Sequence, residues 1–291
     1  DTGHHTVWIS LSFTTRNYIM IGHNHLGKNG RFGNQMFQYA ATRGIAAKHN
    51  YDWCIPDGPK TDEEFNDEEN QHKLFMAFKM GGAKTINMHP APYKQEGSFT
   101  FDQDLFDNCE DNINLYGYFQ CEKYFKHIEK EIRKDFTWRD DVRSLCQDMF
   151  DSIGGKAISL HIRRTDHLVK PTYHPVLPLS YYEKALEIID TLSLDRQKNL
   201  PVLVFSDDPE WCHKQEFFSD DRFMISDSGD NITDMCLMSM CQYQIMANST
   251  FSWWGAWLSN SKNVFGPKLW FGPDGQDPRD IYVNRWEYLD V

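Results

Sequence analysis

Beyond Lys156 the chain alternates short apolar runs with amphipathic ones, and this regularity constrains the fold more than any other feature of its 291 residues. KAISLHI (156–162), LPVLVFS (200–206), RFMIS (222–226), YQIMA (243–247) and NVFG (263–266) read as strands. LSYYEKALEIIDTL, DPEWCHKQ, TDMCLMSMCQ and SWWGAWLS read as the helices between them. Strands and helices that alternate over short connections predict an α/β fold with a parallel sheet covered on both faces. Sheets of that kind bind ligands outside the carboxyl ends of their strands. Those ends carry the polar clusters here: His161-Ile162-Arg163-Arg164-Thr165-Asp166, Ser206-Asp207-Asp208, and Asn248-Ser249-Thr250-Phe251-Ser252.

A Gly-Gly break at Gly154 and Gly155 precedes the regular half and sets the expected division, residues 1–152 and 153–291. In the first part NYIMIGH reads as a strand, GKNGRFG as a turn-rich loop, and NQMFQYAATRGIAAKH as a helix with Asn34 as its N-cap. Glycines such as Gly33 let a backbone approach a ligand closely. Phe125, Ile128, Ile132 and Phe136 stand three or four apart, so 124–136 is expected to be one amphipathic helix. From Tyr51 to about Gly97 the pattern weakens, and the acidic stretch 62–69 reads as a solvated face.

The net charge is −12 and the pI near 5.4, with no long Lys/Arg cluster, which argues against nucleic acid or an anionic membrane as partner. Two adjacent arginines in such a chain therefore call for a local anion. Seven scattered cysteines without a CxxC pair fit free thiols in a reducing compartment better than a disulfide framework or a zinc site. No apolar run approaches the ~20 residues of a bilayer span, and the N-terminus lacks signal-peptide organisation. The chain reads as soluble and cytoplasmic, with membrane association at most peripheral, although a start at Asp1 is compatible with a removed anchor. The pairs His4-His5 and His23-x-His25 lack a third metal ligand and read as surface histidines. Asp102-Gln103-Asp104 has the DxD form of metal-dependent sugar transferases, a weak signal at three letters. Nine Trp suggest stacking surfaces as well as packing, with packing the plainer reading.

If extended geometry persists past the strand, Arg163 and Arg164 point to opposite sides. One can fork onto a diphosphate while the other pairs with Asp166 or anchors the loop; a purely structural salt-bridge network is the alternative. In ANSTFSWW, hydroxyls and backbone N–H groups meet at the mouth of a helix, a natural anion site, and N-capping accounts for one of those residues rather than four. Asp207-Asp208-Pro209-Glu210 reads both as a helix start and as carboxylates for a ribose or a base. The first loop has neither GxGxxG nor GK[ST], which gives nicotinamide and ATP little support.

GRFGNQMFQYA, GYFQCEKYF, HIRRTD, FSDD and ANSTFSWWGAWL, in this order between about residues 18 and 265, resemble the motifs of the α-1,2-fucosyltransferases, glycosyltransferase family eleven. HxRRxD is shared with α-1,6- and protein O-fucosyltransferases. The resemblance implies a GT-B-like enzyme of two Rossmann-like domains with a nucleotide-sugar cleft between them, working without metal or other cofactor. It implies inverting transfer of L-fucose from GDP-β-L-fucose to a hydroxyl of an oligosaccharide or glycan acceptor, O2 of a galactoside for an α-1,2 linkage. Another linkage (α-1,6 or α-1,3) and a non-catalytic nucleotide-sugar or glycan-binding protein are the alternatives.

By the same resemblance His161 lies near guanine, Arg163 and Arg164 act at the β-phosphate, and Asp234 holds the guanine edge. Ser249, Thr250 and Ser252 bind phosphate, and Asn34 contacts fucose or phosphate. Gly33, Asp166, Asp207, Asp208, Asn248 and Phe251 complete the expected site. Arg164→Ala is expected to lower turnover far more than stability. Arg31 stands where bacterial members more often have a small or apolar residue.

Overall fold

A computed structural model describes residues 19–65, 72–86, 88, 91–192 and 200–291. The first sixteen residues, the pair His4-His5 and the end of the acidic stretch lie outside the described residues. The first half contains β1 (Met20–Gly22), α1 (Phe32–His49), β2 (Asp52–Ile55), α2 (Leu74–Ala77), β3 (Lys84–Thr85), β4 (Tyr93–Gln95), α3 (Gln103–Asn108) and β5 (Ile113–Tyr116). Its five strands pair in parallel in the order β3-β2-β1-β5-β4. Helices α4 (Glu129–Asp135) and α5 (Asp140–Ser152) lead to the second half.

There follow β6 (Ile158–Ile162), α6 (Thr165–Val169), α7 (Leu179–Leu192), β7 (Val202–Ser206), α8 (Pro209–His213), β8 (Phe223–Ile225), α9 (Asn231–Met240), β9 (Tyr243–Ile245), α10 (Thr250–Ser259), β10 (Asn263–Pro267) and β11 (Glu287–Leu289). The six strands are parallel in the order β11-β10-β9-β6-β7-β8. Counted from β6, this is the 3-2-1-4-5-6 order of the dinucleotide-binding fold, and the chain reverses direction across the sheet between β6 and β9. All five residues of β6 are buried, which explains its unbroken apolar run. Of these six strands β11, a three-residue edge strand, has no counterpart among the runs read as strands in the sequence, and neither α6 here nor β2 to β5 of the first sheet is marked by a pattern.

The two halves meet where α1 packs on α10. Phe37 lies 4.5 and 4.9 Å, centroid to centroid, from Trp253 and Trp254. Trp253, Trp254 and Trp257 are fully buried, so these tryptophans pack the core rather than present stacking surfaces. Burying each such side chain contributes on the order of 2–3 kcal/mol. Gly33 makes the crossing possible, because a Cβ there would lie 2.7 Å from the Thr250 carbonyl carbon and 2.8 Å from the Phe251 nitrogen.

Three local expectations change. Helix α1 begins two residues before Asn34, after Arg31, with no side-chain cap; Asn34 instead reaches across to α10. The stretch 124–136 is two short 3-10 turns and then α4, because Phe125 and Ile128 leave helical geometry while Phe125 stacks on Trp254 (5.5 Å, 18°). His23 is not on the surface but wholly buried at the end of β1, and His25 packs against the rings of Tyr93 and Tyr116.

Candidate active-site cleft

The reversal between β6 and β9 opens into a cleft of about 920 Å³, walled by both halves of the chain. That is the upper end of the roughly 300–1,000 Å³ usual for small-molecule sites. Arg163 leaves the end of β6 and enters the cleft, its Nη2 2.7 Å from Asp166 Oδ1 and its Nη1 3.3 Å from Asp207 Oδ2. Asp207 also accepts hydrogen bonds from Arg164 N (2.8 Å), Thr165 N (3.1 Å) and the Thr165 hydroxyl. It therefore fixes the turn that aims the guanidinium. Burial alone would raise the Asp207 pKa, but the Thr165 hydroxyl and the Arg163 charge outweigh it and hold the carboxyl below its ordinary value.

Arg164 does not line the cleft. Its guanidinium lies 3.8 Å over the Trp211 ring and its Nε donates to Asp208 Oδ2 at 3.1 Å. Asp208 in turn caps α8 by accepting from Trp211 N. The doublet divides, one cation inward and one in the supporting wall, but β6 ends at Ile162 and Arg164 (ψ −58°) has left extended geometry, and it is the inward Arg163 that pairs with Asp166. The placement of Arg164 differs from the expectation that both act on phosphate.

The opposite lip is the first turn of α10. Ser249 caps the helix by accepting from Phe251 N, and Thr250 donates its hydroxyl to Asn34 Oδ1 at 3.0 Å. Gln120 Nε2 donates to the same oxygen at 3.0 Å, so Asn34 ties the two halves together beside the cleft. Ser252 is buried and turns its hydroxyl back to the carbonyls of Ala247 and Ser249, away from the cleft lining. Asn248 donates to the carbonyls of Pro175 and Trp270, holding two loops together. Gly33 approaches the α10 backbone closely; its contact is with protein.

His161 lies 5.5 Å from the Phe251 ring, and burial, with the Arg163 charge, lowers its pKa to about 3. Its Nδ1 and the Oδ1 of Asn248 are buried without a hydrogen-bond partner among the described residues, although both residues line the cleft. Buried polar atoms left unpaired are costly, and a polar ligand would satisfy them. Toward the β8 edge, Asp234 accepts from Ser226 (2.6 Å) and Ser228 (2.8 Å), and burial raises its pKa despite these bonds.

Sequence reasoning did not single out the aromatic side of the cleft: Phe99, Tyr118, Tyr173, His174 and Phe271. They stand in irregular loops, where periodicity carries no signal; Tyr118, His174 and Phe271 adjoin Gly or Pro, and Tyr118 lies in GYFQCEKYF, but nothing in the sequence joins the five. Of the DxD-like pair, Asp102 caps α3 through Leu105 N and Asp104 accepts from Asn108. Among the described residues no His/Cys/Asp/Glu group is arranged to hold a metal, and no helix is long and apolar enough to cross a membrane. All seven cysteines are buried and unpaired.

The buried imidazoles predict acid lability. Burial lowers His161 to about 3, and His23 and His167 to about 4. Between their unfolded value near 6.5 and these folded values the unfolded chain binds more protons, so the stability they contribute above 6.5 is lost as pH falls. Glu96, raised by burial to about 7, opposes this, since its contribution declines as pH rises from about 4.5 toward 7. Three groups outweigh one, and the urea midpoint is expected to be lower at about pH 5 than at about pH 7. An equal or higher midpoint at the lower pH would contradict these burial assignments.

Residues 83–290, well over half of the chain, match the sequence profile of Glycosyl transferase family 11. An O-antigen biosynthesis glycosyltransferase, WbnK, of Escherichia coli is 28% identical over 303 residues, covering 89% of this chain and 97% of its own. An alpha-1,2-colitosyltransferase of Escherichia coli is 28% identical over 289 residues, covering 90% and 97%. A galactoside alpha-(1,2)-fucosyltransferase 1 of Rattus norvegicus is 24% identical, covering 81% of this chain and 63% of its own. Among solved structures, the NodZ alpha-1,6-fucosyltransferase soaked with GDP-fucose has a TM-score of 0.55 at 13% identity, over 86% of this chain and 95% of its own. POFUT1 in complex with GDP-fucose has a TM-score of 0.52 at 13% identity, over 87% and 98%. The fold is therefore GT-B-like, with two parallel-sheet α/β domains, and the chain belongs to glycosyltransferase family 11, the fucosyl- and colitosyltransferase family.

Proposed function

We propose that the chain transfers L-fucose from GDP-β-L-fucose to O2 of a galactoside with inversion and without a divalent ion. In this reading residues 1–152 form the acceptor-side domain and residues 153–291 hold the nucleotide sugar. The observation that carries it is Arg163, braced by two carboxylates and facing the first turn of α10 across the reversal of the sheet. The α-1,2 specificities in the names of the colitosyl- and fucosyltransferase relatives support the linkage, and the GDP-fucose soaked into NodZ and held in complex by POFUT1 supports the donor.

Cleavage of the bond from sugar to phosphate leaves added negative charge on GDP. A guanidinium already oriented stabilises that charge without reorganising, and the positive end of α10 adds to the same field. The neutral His161 and the Asp234 carboxylate then serve the guanosine, Asp234 from the β8 side of the cleft. Asn34 and Thr250 close the site where the sugar lies against both domains.

A thermal-shift screen across GDP, GDP-fucose, GDP-mannose, a colitose donor and UDP-sugars tests the donor. A ligand selective for the folded state adds about 2.7 kcal/mol of stability at a hundred times its dissociation constant. GDP and GDP-fucose are expected to raise the melting temperature, and GDP-fucose with a galactoside is expected to yield the α-1,2 product by NMR, undiminished in EDTA. A response to UDP-sugars alone, a different linkage, or loss of activity in EDTA would each overturn the matching part of this reading.

A further inference from the structure

One side of the cleft is built from rings. Phe99 lies 5.4 Å from Tyr118 and 5.7 Å from Phe271, the latter edge-on at 86°. Phe271 in turn lies 5.5 Å from Tyr173 and 5.6 Å from His174. All five are half-buried and line the cleft, so each keeps part of its ring surface open to it. Phe99 and Tyr118 come from the first domain, Tyr173, His174 and Phe271 from the second.

The wall is rigid for reasons visible in its loops. Gly272 N donates to Tyr173 O at 3.0 Å and Asp274 N to Thr172 O at 3.1 Å, so the loop after α6 and the loop after β10 are joined by backbone bonds. Asn248 fastens the same two loops at Pro175 and Trp270. Gly272 has no room for a side chain against the Thr172 carbonyl. Such cross-bracing of irregular segments positions the rings without help from a bound molecule.

Position separates this wall from the donor end. Ser226 and Asp234 follow β8 and open α9, on the β7–β8 side of the reversal; Phe271 follows β10, on the other side. A nucleotide sugar with its diphosphate at Arg163 and its base toward β8 directs the transferred sugar toward the rings. We infer that Phe99, Tyr118, Tyr173, His174 and Phe271 form the acceptor subsite, on which a galacto-configured pyranoside stacks the C–H face left free by its axial O4. Rings suit this task because they give a large, stiff apolar surface while Tyr and His add polar edges for hydroxyls. The inference rests on the transferase reading given above.

The test compares Phe99→Leu and Phe271→Leu, one from each domain, with Phe99→Tyr as the ring-retaining control. Both leucine variants are expected to raise the acceptor KM by about two- to tenfold, the range of one aromatic contact. GDP affinity by calorimetry and acceptor-free hydrolysis of GDP-fucose are expected to match the unsubstituted protein, and Phe99→Tyr to retain its acceptor KM. Unchanged acceptor KM in both leucine variants, with GDP affinity intact, would overturn the subsite. Failure of the unsubstituted protein to bind GDP-fucose would instead overturn the transferase reading, so the two outcomes are distinct. Equal weakening of GDP binding and of acceptor binding, read as a raised acceptor KM, would assign the rings to general packing and also overturn it.

Discussion

Replacing Arg163 with alanine is expected to lower turnover by about a hundred- to a thousandfold, the usual cost of removing one group that stabilises transition-state charge. Folding should survive the change better than catalysis does. Asp207 keeps its bonds from Arg164 N, Thr165 N and the Thr165 hydroxyl, so the turn stays closed. Asp166 has a side chain 47% exposed and can rehydrate when its partner is lost. Arg163→Lys should restore little, because a point charge cannot make two directed contacts at once.

Arg164→Ala is the informative contrast. It removes a guanidinium stacked on Trp211 and paired with Asp208, outside the cleft lining, and is expected to reduce melting temperature more than turnover. This reverses the expectation, drawn from the family resemblance, that Arg164→Ala lowers turnover far more than stability. Steady-state kinetics and thermal denaturation on both variants check it. Near-normal turnover in Arg163→Ala, or a larger kinetic loss in Arg164→Ala, would mean that the inward guanidinium is not the group that meets the leaving phosphate.

The difference between these arginines shows what a sequence holds and what it withholds. Short apolar runs placed β6 to β10, because burial on both faces of a parallel sheet leaves a continuous apolar signature, and period-3.6 patterns placed helices between them. They also placed Arg163, His161, Asp207 and Thr250 at strand ends. Which of two adjacent side chains enters the cleft depends on how the turn after β6 is pinned, and the pin, Asp207, comes from a strand 43 residues away. Asn34 illustrates the same limit. Alone it reads as a cap, yet its oxygen is taken by Thr250 and Gln120 from distant segments, which no local rule encodes. The aromatic wall was illegible for a related reason: its rings converge only after loops from both domains are brought together.

Gly33→Ala is expected to weaken both folding and GDP binding, since the two depend on one crossing. The added methyl would lie 2.7 Å from the Thr250 carbonyl carbon and 2.8 Å from both the Thr250 oxygen and the Phe251 nitrogen. All three are backbone atoms, so no rotamer change relieves the contact, and α1 and α10 must separate. Overpacking of this kind typically costs about 1–3 kcal/mol. The separation also stretches the bond between Asn34 and Thr250 and loosens Phe37 from Trp253 and Trp254. Because the turn that moves is the one proposed to face the diphosphate, GDP affinity should fall together with melting temperature. Gly81→Ala is the control: a Cβ there meets nothing within 4 Å, and both quantities should stay unchanged. If Gly33→Ala lost stability yet bound GDP normally, the first turn of α10 would be a structural contact alone and the phosphate site would have to rest on Arg163 without it.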